Sequence, residues 1–309
     1  RMPKGNQTRW KNSQLMAVCL GATSLFSLTY LTSTNPISKP FTPPASFSVD
    51  VIKGFDHLGD YVRQNDTGRQ PVIASWWDYG YAATLFSRIP TLHDGGSQRG
   101  PKTHLIARAL MSEDQAETAQ ILKFLGNDGQ VGIAQNSAST KTLDAAFAAG
   151  PKNDEADIYL VLTAQMARWM PSISQLGLWD SEAGQPLPIH NGSNTLFYQY
   201  LSCTGDGPVI DCNGKQIDLQ AGTVNGRAVL SASVQSDNGA AGPRITYRNP
   251  SGFFLQFHRL GNTTWQTQLV HPRLFKSAFN QLFYLGNFDP DYYTPLIDGF
   301  PHFRVYKIN

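Results

Sequence analysis

The sequence predicts an α/β fold: a mixed, mainly parallel sheet domain with an inserted antiparallel β subdomain, preceded by one transmembrane helix. Three observations predict it. Between residues 48 and 190, apolar strand-like runs alternate with amphipathic helical stretches. Between 191 and 271 the pattern changes to short β-branched and aromatic runs split by Gly, Asn and Asp. Residues 14–31 carry no charge at all.

The chain opens on Arg1 instead of Met and is read as a fragment whose upstream sequence is missing. Arg1, Lys4, Arg9 and Lys11 form a basic lead. The uncharged run that follows has about the minimum length of a membrane-spanning helix. A cleavable signal peptide or a buried soluble helix are the alternatives. The span is preferred, with the basic lead on the cytoplasmic side and everything after Ser33 outside. Residues 34–47, rich in Pro, Ser and Thr, read as a linker.

In residues 48–64, Val49, Ile52, Phe55, Leu58 and Val62 recur at helical steps. The run 71–75 suits a buried strand. Ser112 and Gln115 match a capping box for a helix over 112–125, with Gly126 as its stop. Residues 131–134 read as a second strand and 143–149 as a short helix. Residues 157–163 are the clearest strand of the chain, and 164–170 read as a helix ended by Pro171. This β-α-β-α-β order implies parallel pairing, with ligands beyond the C-terminal strand ends. The predicted units are therefore the span (1–33), the linker (34–47), the α/β domain (48–190), the β-rich insertion (191–271), and a closing helix over 272–285 with a last strand (272–309).

Bulk properties narrow the function. A net charge of +2 lacks the basic excess of a nucleic-acid binder. The seven histidines show no paired ligand spacing and read as surface or hydrogen-bonded residues. No phosphate-binding glycine loop and no nucleophile elbow is present. Cys203 and Cys212 bracket a short loop. Their spacing suits a disulfide across a hairpin in an oxidising compartment, and two unpaired thiols are the alternative.

One segment carries chemistry. Trp76-Trp77-Asp78-Tyr79-Gly80-Tyr81 follows the first predicted strand. Indole N–H groups only donate, an ionised carboxylate only accepts, and a hydroxyl does both. Trp76, Trp77 and Asp78 can therefore hold one Ser or Thr hydroxyl from two sides. Such a pocket rejects a ligand lacking the hydroxyl, because its own polar groups are then left unpaired. Core packing of the tryptophans beside an Asp-Tyr-Gly turn is the structural alternative.

The string WWDYGY resembles the signature of the catalytic subunit of oligosaccharyltransferase, the enzyme of protein N-glycosylation. SRIPTLHDGG at 87–96, DIYLVLTAQMARW at 157–169, SAFNQLFYLGNFD at 277–289 and the final FRVYKI are similar to segments of its bacterial members. The resemblance covers 48–309 in patches and is weakest in the β-rich part. It implies that Trp76, Trp77 and Asp78 bind the Ser or Thr two positions after the acceptor Asn. It also implies a Met-x-x-Ile helix packing on the threonine methyl, for which Met166, Trp169 and Ile173 are the matching positions. Trp169 stands where Ile is expected, and Pro171 falls inside the motif.

The resemblance further implies a divalent cation, Mg or Mn, held by acidic residues on external loops upstream of the signature. No Asp or Glu precedes Asp50, so these ligands are expected outside this chain and no catalytic residue is assigned in it. The implied partners are an Asn-x-Ser/Thr acceptor peptide, a lipid-linked oligosaccharide and a membrane. The implied setting is the bacterial inner membrane, with this part on the periplasmic side. A non-catalytic, membrane-tethered peptide-binding module is the competing function.

Overall fold

A computed structural model of the protein describes residues 47–187, 196–205, 207–260 and 264–309. The expected span at 14–31 and most of the linker lie outside the described residues. Among those described, no helix is long and apolar enough to cross a membrane.

Helix α1 (Val49–Gln64) starts where Ser48 caps it, accepting a hydrogen bond from the Val51 N–H at 3.3 Å. Its buried face is Val51, Phe55 and Leu58. Gly59 on the same face allows close approach, since a Cβ there would collide with the Ser87 carbonyl. Strand β1 (Gln70–Ala74) follows, then a 3₁₀ turn at Trp77–Tyr79 and helices α2 (Gly80–Ser87) and α3 (Pro101–Met111). The sequence pattern predicts no helix at either position.

The next helix, α4, spans Gln115–Asn127, and its cap is Asp114, whose carboxylate accepts from the Ala116 N–H at 2.8 Å. The expected Ser112 cap is corrected: Ser112 closes α3, and its hydroxyl donates to the Asp114 carbonyl and to Glu117. Gly126 lies inside the helix and does not stop it.

Residues 131–134, expected as a strand, belong to helix α5 (Gly129–Asn136). A four-residue apolar run cannot distinguish strand from helix by period. Here Val131 is 66% exposed, so the run has no sheet to enter. Helix α6 (Thr140–Ala149) leads to strand β2 (Ala156–Thr163), buried along its whole length. Helix α7 (Met166–Gly177) runs through Pro171 instead of ending there. Its buried stripe of Met166, Ala167, Met170 and Ile173 holds it down and offsets the lost backbone donor of Pro171 and the crowding of its ring against the Ala167 carbonyl.

A two-residue hairpin, β3 (Trp179–Asp180) and β4 (Gln185–Pro186), precedes the β-rich region. There β5 (Gln199–Leu201), β6 (Cys203–Thr204), β7 (Val209–Cys212), β8 (Lys215–Asp218), β9 (Thr223–Val224) and β10 (Arg227–Ala228) are short. The long strands are β11 (Leu230–Asp237), β12 (Ala240–Thr246), β13 (Phe253–Leu260) and β14 (Thr264–Val270). They form two five-stranded sheets, ordered β10-β9-β8-β7-β6 and β12-β11-β13-β14-β5. The expectation of a wholly antiparallel region is corrected at one place, because β11 and β13 pair in parallel. Ile210, Cys212, Ile217, Leu230 and Leu255 form the core between the sheets. Cys203 and Cys212 face each other across β6 and β7 and are disulfide-bonded.

The predicted helix over 272–285 is broken. Helix α8 (Pro272–Lys276) ends at Ser277, and a π-helical turn follows at Asn280–Tyr284. The Ser277 hydroxyl donates to the Leu274 carbonyl and accepts from the Asn280 N–H, giving the backbone an alternative to the helix. Strands β15 (Tyr293–Gly299) and β16 (Phe303–Ile308) then return to the first sheet, whose order is β1-β2-β16-β15. Only β1 and β2 are parallel; β16 is antiparallel to both β2 and β15. The sheet is therefore mixed, and the expectation of a mainly parallel one is corrected. The missing middle strand is α5, and its place is taken by the C-terminal hairpin.

Arg304 joins these parts. It is 3% exposed, pairs with Asp298 at 3.0 Å, and donates to the Leu282 and Phe283 carbonyls at 3.2 and 2.9 Å. Replacing it by Met (R304M) strands two buried carbonyls, and should cost roughly 3 kcal/mol. Urea unfolding of the two proteins side by side measures this loss.

Candidate functional site

The site is built on the one parallel pair of the first sheet. Register sets Ala74 of β1 beside Leu160 of β2, so both strands end at one sheet edge. The Trp76–Tyr81 segment leaves β1 there, and α7 begins three residues after β2. The Ser75 hydroxyl donates to the Val161 carbonyl at 2.9 Å and lies 3.9 Å from the Met166 sulfur. The Thr163 hydroxyl donates to the Tyr79 hydroxyl at 2.9 Å. Tyr79 is fully buried, with its ring edge-on to Trp169 at 5.4 Å and tilted against Phe55 at 5.8 Å. Motif, strand end and helix are thus tied by Tyr79, a residue that hydroxyl-clamp reasoning had passed over.

Gly80 has a specific reason. A Cβ there would lie 2.5 Å from the Asp94 Cα and 2.7 Å from the His93 carbonyl oxygen. Both are backbone atoms that cannot rotate away. The 92–97 loop therefore packs directly on the start of α2. Its Asp-Gly-Gly is a turn, with Asp94 accepting from the Gly96 and Ser97 N–H groups at 3.0 Å.

The six predicted positions fall into two groups. Trp77, Asp78 and Trp169 are half-buried and reach the surface. Trp76 is 2% exposed, and Met166 and Ile173 are 0% exposed. The Trp76 ring lies 6.4 Å from Trp77 and meets His93 edge-on at 6.0 Å. Its side chain hydrogen-bonds the Asp78 carboxyl. Burial raises the Asp78 pKa, and this is partly offset by its own backbone N–H and by Trp76. Trp76 is thus buried while its neighbours Trp77 and Asp78 reach the surface. Tyr79, Gln165, Arg168, Tyr200 and His302 line a cleft of about 470 Å³, to which the motif contributes through Tyr79 and not through Trp77 or Asp78.

His93 corrects the expectation of surface or hydrogen-bonded histidines. It is 3% exposed and neither ring nitrogen has a hydrogen-bond partner. Burial, reinforced by Lys102, lowers its pKa from 6.5 to about 4. His258 behaves similarly, with burial and then Arg304 lowering it to about 3, although its Nδ1 meets the Ser236 hydroxyl at 2.6 Å. Among the described residues no group of three or more His, Cys, Asp or Glu side chains could hold a metal ion. The implied divalent cation therefore finds no fit there, and no chemical step is routed through it.

Known proteins share the fold and parts of the sequence. Residues 69–141 match the STT3/PglB/AglB core domain. The undecaprenyl-diphosphooligosaccharide–protein glycotransferase of Campylobacter jejuni is 23% identical over 272 residues, spanning 76% of this chain and 36% of that protein. The dolichyl-phosphooligosaccharide-protein glycotransferase of Methanocaldococcus jannaschii is 28% identical over 98 residues, spanning 32% of this chain and 10% of that protein. In fold, the chain superposes on the crystal structure of the C. jejuni PglB C-terminal domain with a TM-score of 0.61 at 19% identity, covering 84% of this chain and 99% of that domain. The chain is related to the oligosaccharyltransferases, and the part it matches is their C-terminal portion.

Two outcomes are expected. Gly80→Ala forces two backbone segments apart and should cost roughly 1–3 kcal/mol, read by thermal unfolding. The second concerns pH. His93 and His258 are neutral when folded, and each takes up a proton below about pH 6.5 when unfolded. Their contribution is therefore complete above 6.5 and is lost as pH falls towards the folded values of about 4 and about 3. Stability should drop by a few kcal/mol over that window, and His93→Leu should flatten part of the drop in denaturation curves taken from pH 7 to 4.

Proposed function

We propose that this chain is the acceptor-holding part of an oligosaccharyltransferase, which moves a glycan from a polyprenyl-pyrophosphate carrier to the Asn of Asn-x-Ser/Thr. The observation that carries the reading is the pairing of a surface indole, Trp77, with a surface carboxylate, Asp78, at the C-terminal edge of the β1–β2 pair. This is where a parallel arrangement presents a ligand site. The Trp77 N–H donates to the acceptor hydroxyl oxygen, while ionised Asp78 accepts the hydroxyl proton. Trp76, from below, fixes the carboxylate rotamer. Met166, Trp169 and Ile173 are proposed to serve the threonine methyl. Trp169 is the one that reaches the surface, with Met166 and Ile173 packed behind it.

Held this way, the Ser or Thr sets the position of the Asn two residues earlier. The contribution of this part is positioning, which lowers the entropic cost of bringing the amide to the reacting carrier. We place the remaining chemistry, including the divalent cation and its ligands, outside this chain. Location at the periplasmic face of a bacterial inner membrane belongs to the same proposal.

The test is a titration of the full chain with a labelled Asn-x-Thr peptide, beside the same peptide carrying Ala in place of Thr. Asp78→Ala should weaken binding about tenfold or more, because a charge-assisted hydrogen bond is lost, while the melting temperature moves little. A variant that unfolds early yet binds peptide normally would make the motif a core element and end the proposal. Since burial raises the Asp78 pKa, the carboxylate protonates earlier than an ordinary Asp. Binding should therefore weaken as pH falls through that raised value, and Asp78→Asn should bind weakly at every pH.

A further inference from the structure

The β-rich region carries a second arrangement of chemistry-bearing side chains, at the open mouth between its two sheets. Strand register lays it out. Gln235, Phe257, Thr267 and Leu201 stand in one row across β11, β13, β14 and β5. Two residues along the strands, the next row is Asp237, Arg259 and Trp265. Side chains two apart share a face, so both rows lie on the face where Leu255, Phe257 and Leu269 meet the second sheet. That sheet seals Leu255, which is 0% exposed, but leaves Trp265 52% exposed. Cys203, Ile210 and Leu219 form the opposing wall, and the disulfide pins β6 to β7 there. The space between is a cleft of about 790 Å³, within the size range of small-molecule sites.

Its lining has a particular chemistry. Trp265 offers a flat, solvent-facing ring. The Gln235 amide both donates and accepts. Asp237 and Arg259 lie outside the cleft lining, in the row next to Trp265, and form an ion pair with side chains 51% and 42% exposed. The pair offers a planar acceptor and a planar donor, yet its net charge is zero. A phosphorylated or acidic ligand would meet an arginine already committed to a carboxylate. An apolar peptide anchor would need a dry pocket, whereas amide and ion-pair groups border this ring. The ligand that fits has one flat C–H face and an edge of neighbouring hydroxyls that donate and accept in pairs. That is a pyranose.

We propose that this cleft is a carbohydrate-binding subsite for neutral oligosaccharides. One ring stacks on Trp265, and its hydroxyl edge bonds to Gln235 and to the Asp237–Arg259 pair. The hydroxyl clamp at Asp78 takes no part in this, so the inference stands whether or not that reading holds.

The experiment titrates the full chain with chitotriose, cellotriose and mannotriose, read by calorimetry and by the indole N–H signals in NMR. At least one sugar should bind with a dissociation constant of about 1 mM or below and shift the Trp265 signal. Trp265→Ala should weaken it about tenfold or more, and Trp265→Phe, which keeps a flat ring, should retain most of it. Trp179→Ala removes another exposed indole elsewhere, 42% against 52%, and should change nothing. Asp78→Ala should also leave sugar binding intact. Retained β-sheet dichroism in each variant separates lost binding from lost folding. The proposal is overturned if none of the sugars binds, if Trp265→Ala binds as well as the parent, or if a saturating Asn-x-Thr peptide displaces the sugar.

Discussion

The parallel pairing of β1 with β2 is the contact on which the rest of the structure depends. It is secured at its start by Asp157, 5% exposed, which accepts from the Thr67 hydroxyl at 2.7 Å and pairs with Arg69 at 3.1 Å and Lys307 at 3.0 Å. Burial works against that carboxylate, but the Thr67 and Lys307 contacts outweigh it and hold its pKa below the usual value. The pair therefore ends in register, at Ala74 and Leu160. Everything at the candidate site follows from that shared end: the motif leaves one strand, α7 follows the other, and Tyr79 bridges them.

The site combines rigidity below with exposure above. Trp76, Tyr79, Met166 and Ile173 are core residues, and they leave the backbone beneath Trp77 and Asp78 little freedom. Gly80 and the 92–97 loop lock the other side. The ligand-holding role proposed for Trp77 and Asp78 fits such a base, because a pre-ordered pair loses little entropy on binding. The unpartnered His93 against Trp76 is the one energetically poor element in this base, since a buried ring nitrogen without a partner costs stability.

The β-rich region follows a different logic. It is closed by a disulfide and a small apolar core, and its long strands extend beyond the cover of the second sheet. The uncovered end is where Trp265, Gln235 and the Asp237–Arg259 pair gather. Arg304 and the π-helical turn tie this region to the first sheet, and the Asn238 carbonyl between β11 and β12 accepts from the same guanidinium at 3.4 Å.

Sequence by itself determined the elements whose signal is local and long. These include α1 with its Ser48 cap, the fully apolar β2, the last strand, and the disulfide-compatible spacing of Cys203 and Cys212. It also determined the chemistry of Trp76-Trp77-Asp78, because donors and acceptors belong to residue types. Only the tertiary structure decided which of those groups faces outward. An indole N–H donates equally well to a ligand or to a neighbour, and burial against His93 takes Trp76 from the surface while Trp77 stays there. Tertiary structure also decided that 131–134 is helical, that Pro171 lies within a helix, and that a C-terminal hairpin completes the sheet. A strand exists only against a partner, and a short apolar run does not say where its partner lies. The row formed by Gln235, Phe257 and Trp265 has the same origin. It joins three strands through register, a property that no single stretch of sequence contains.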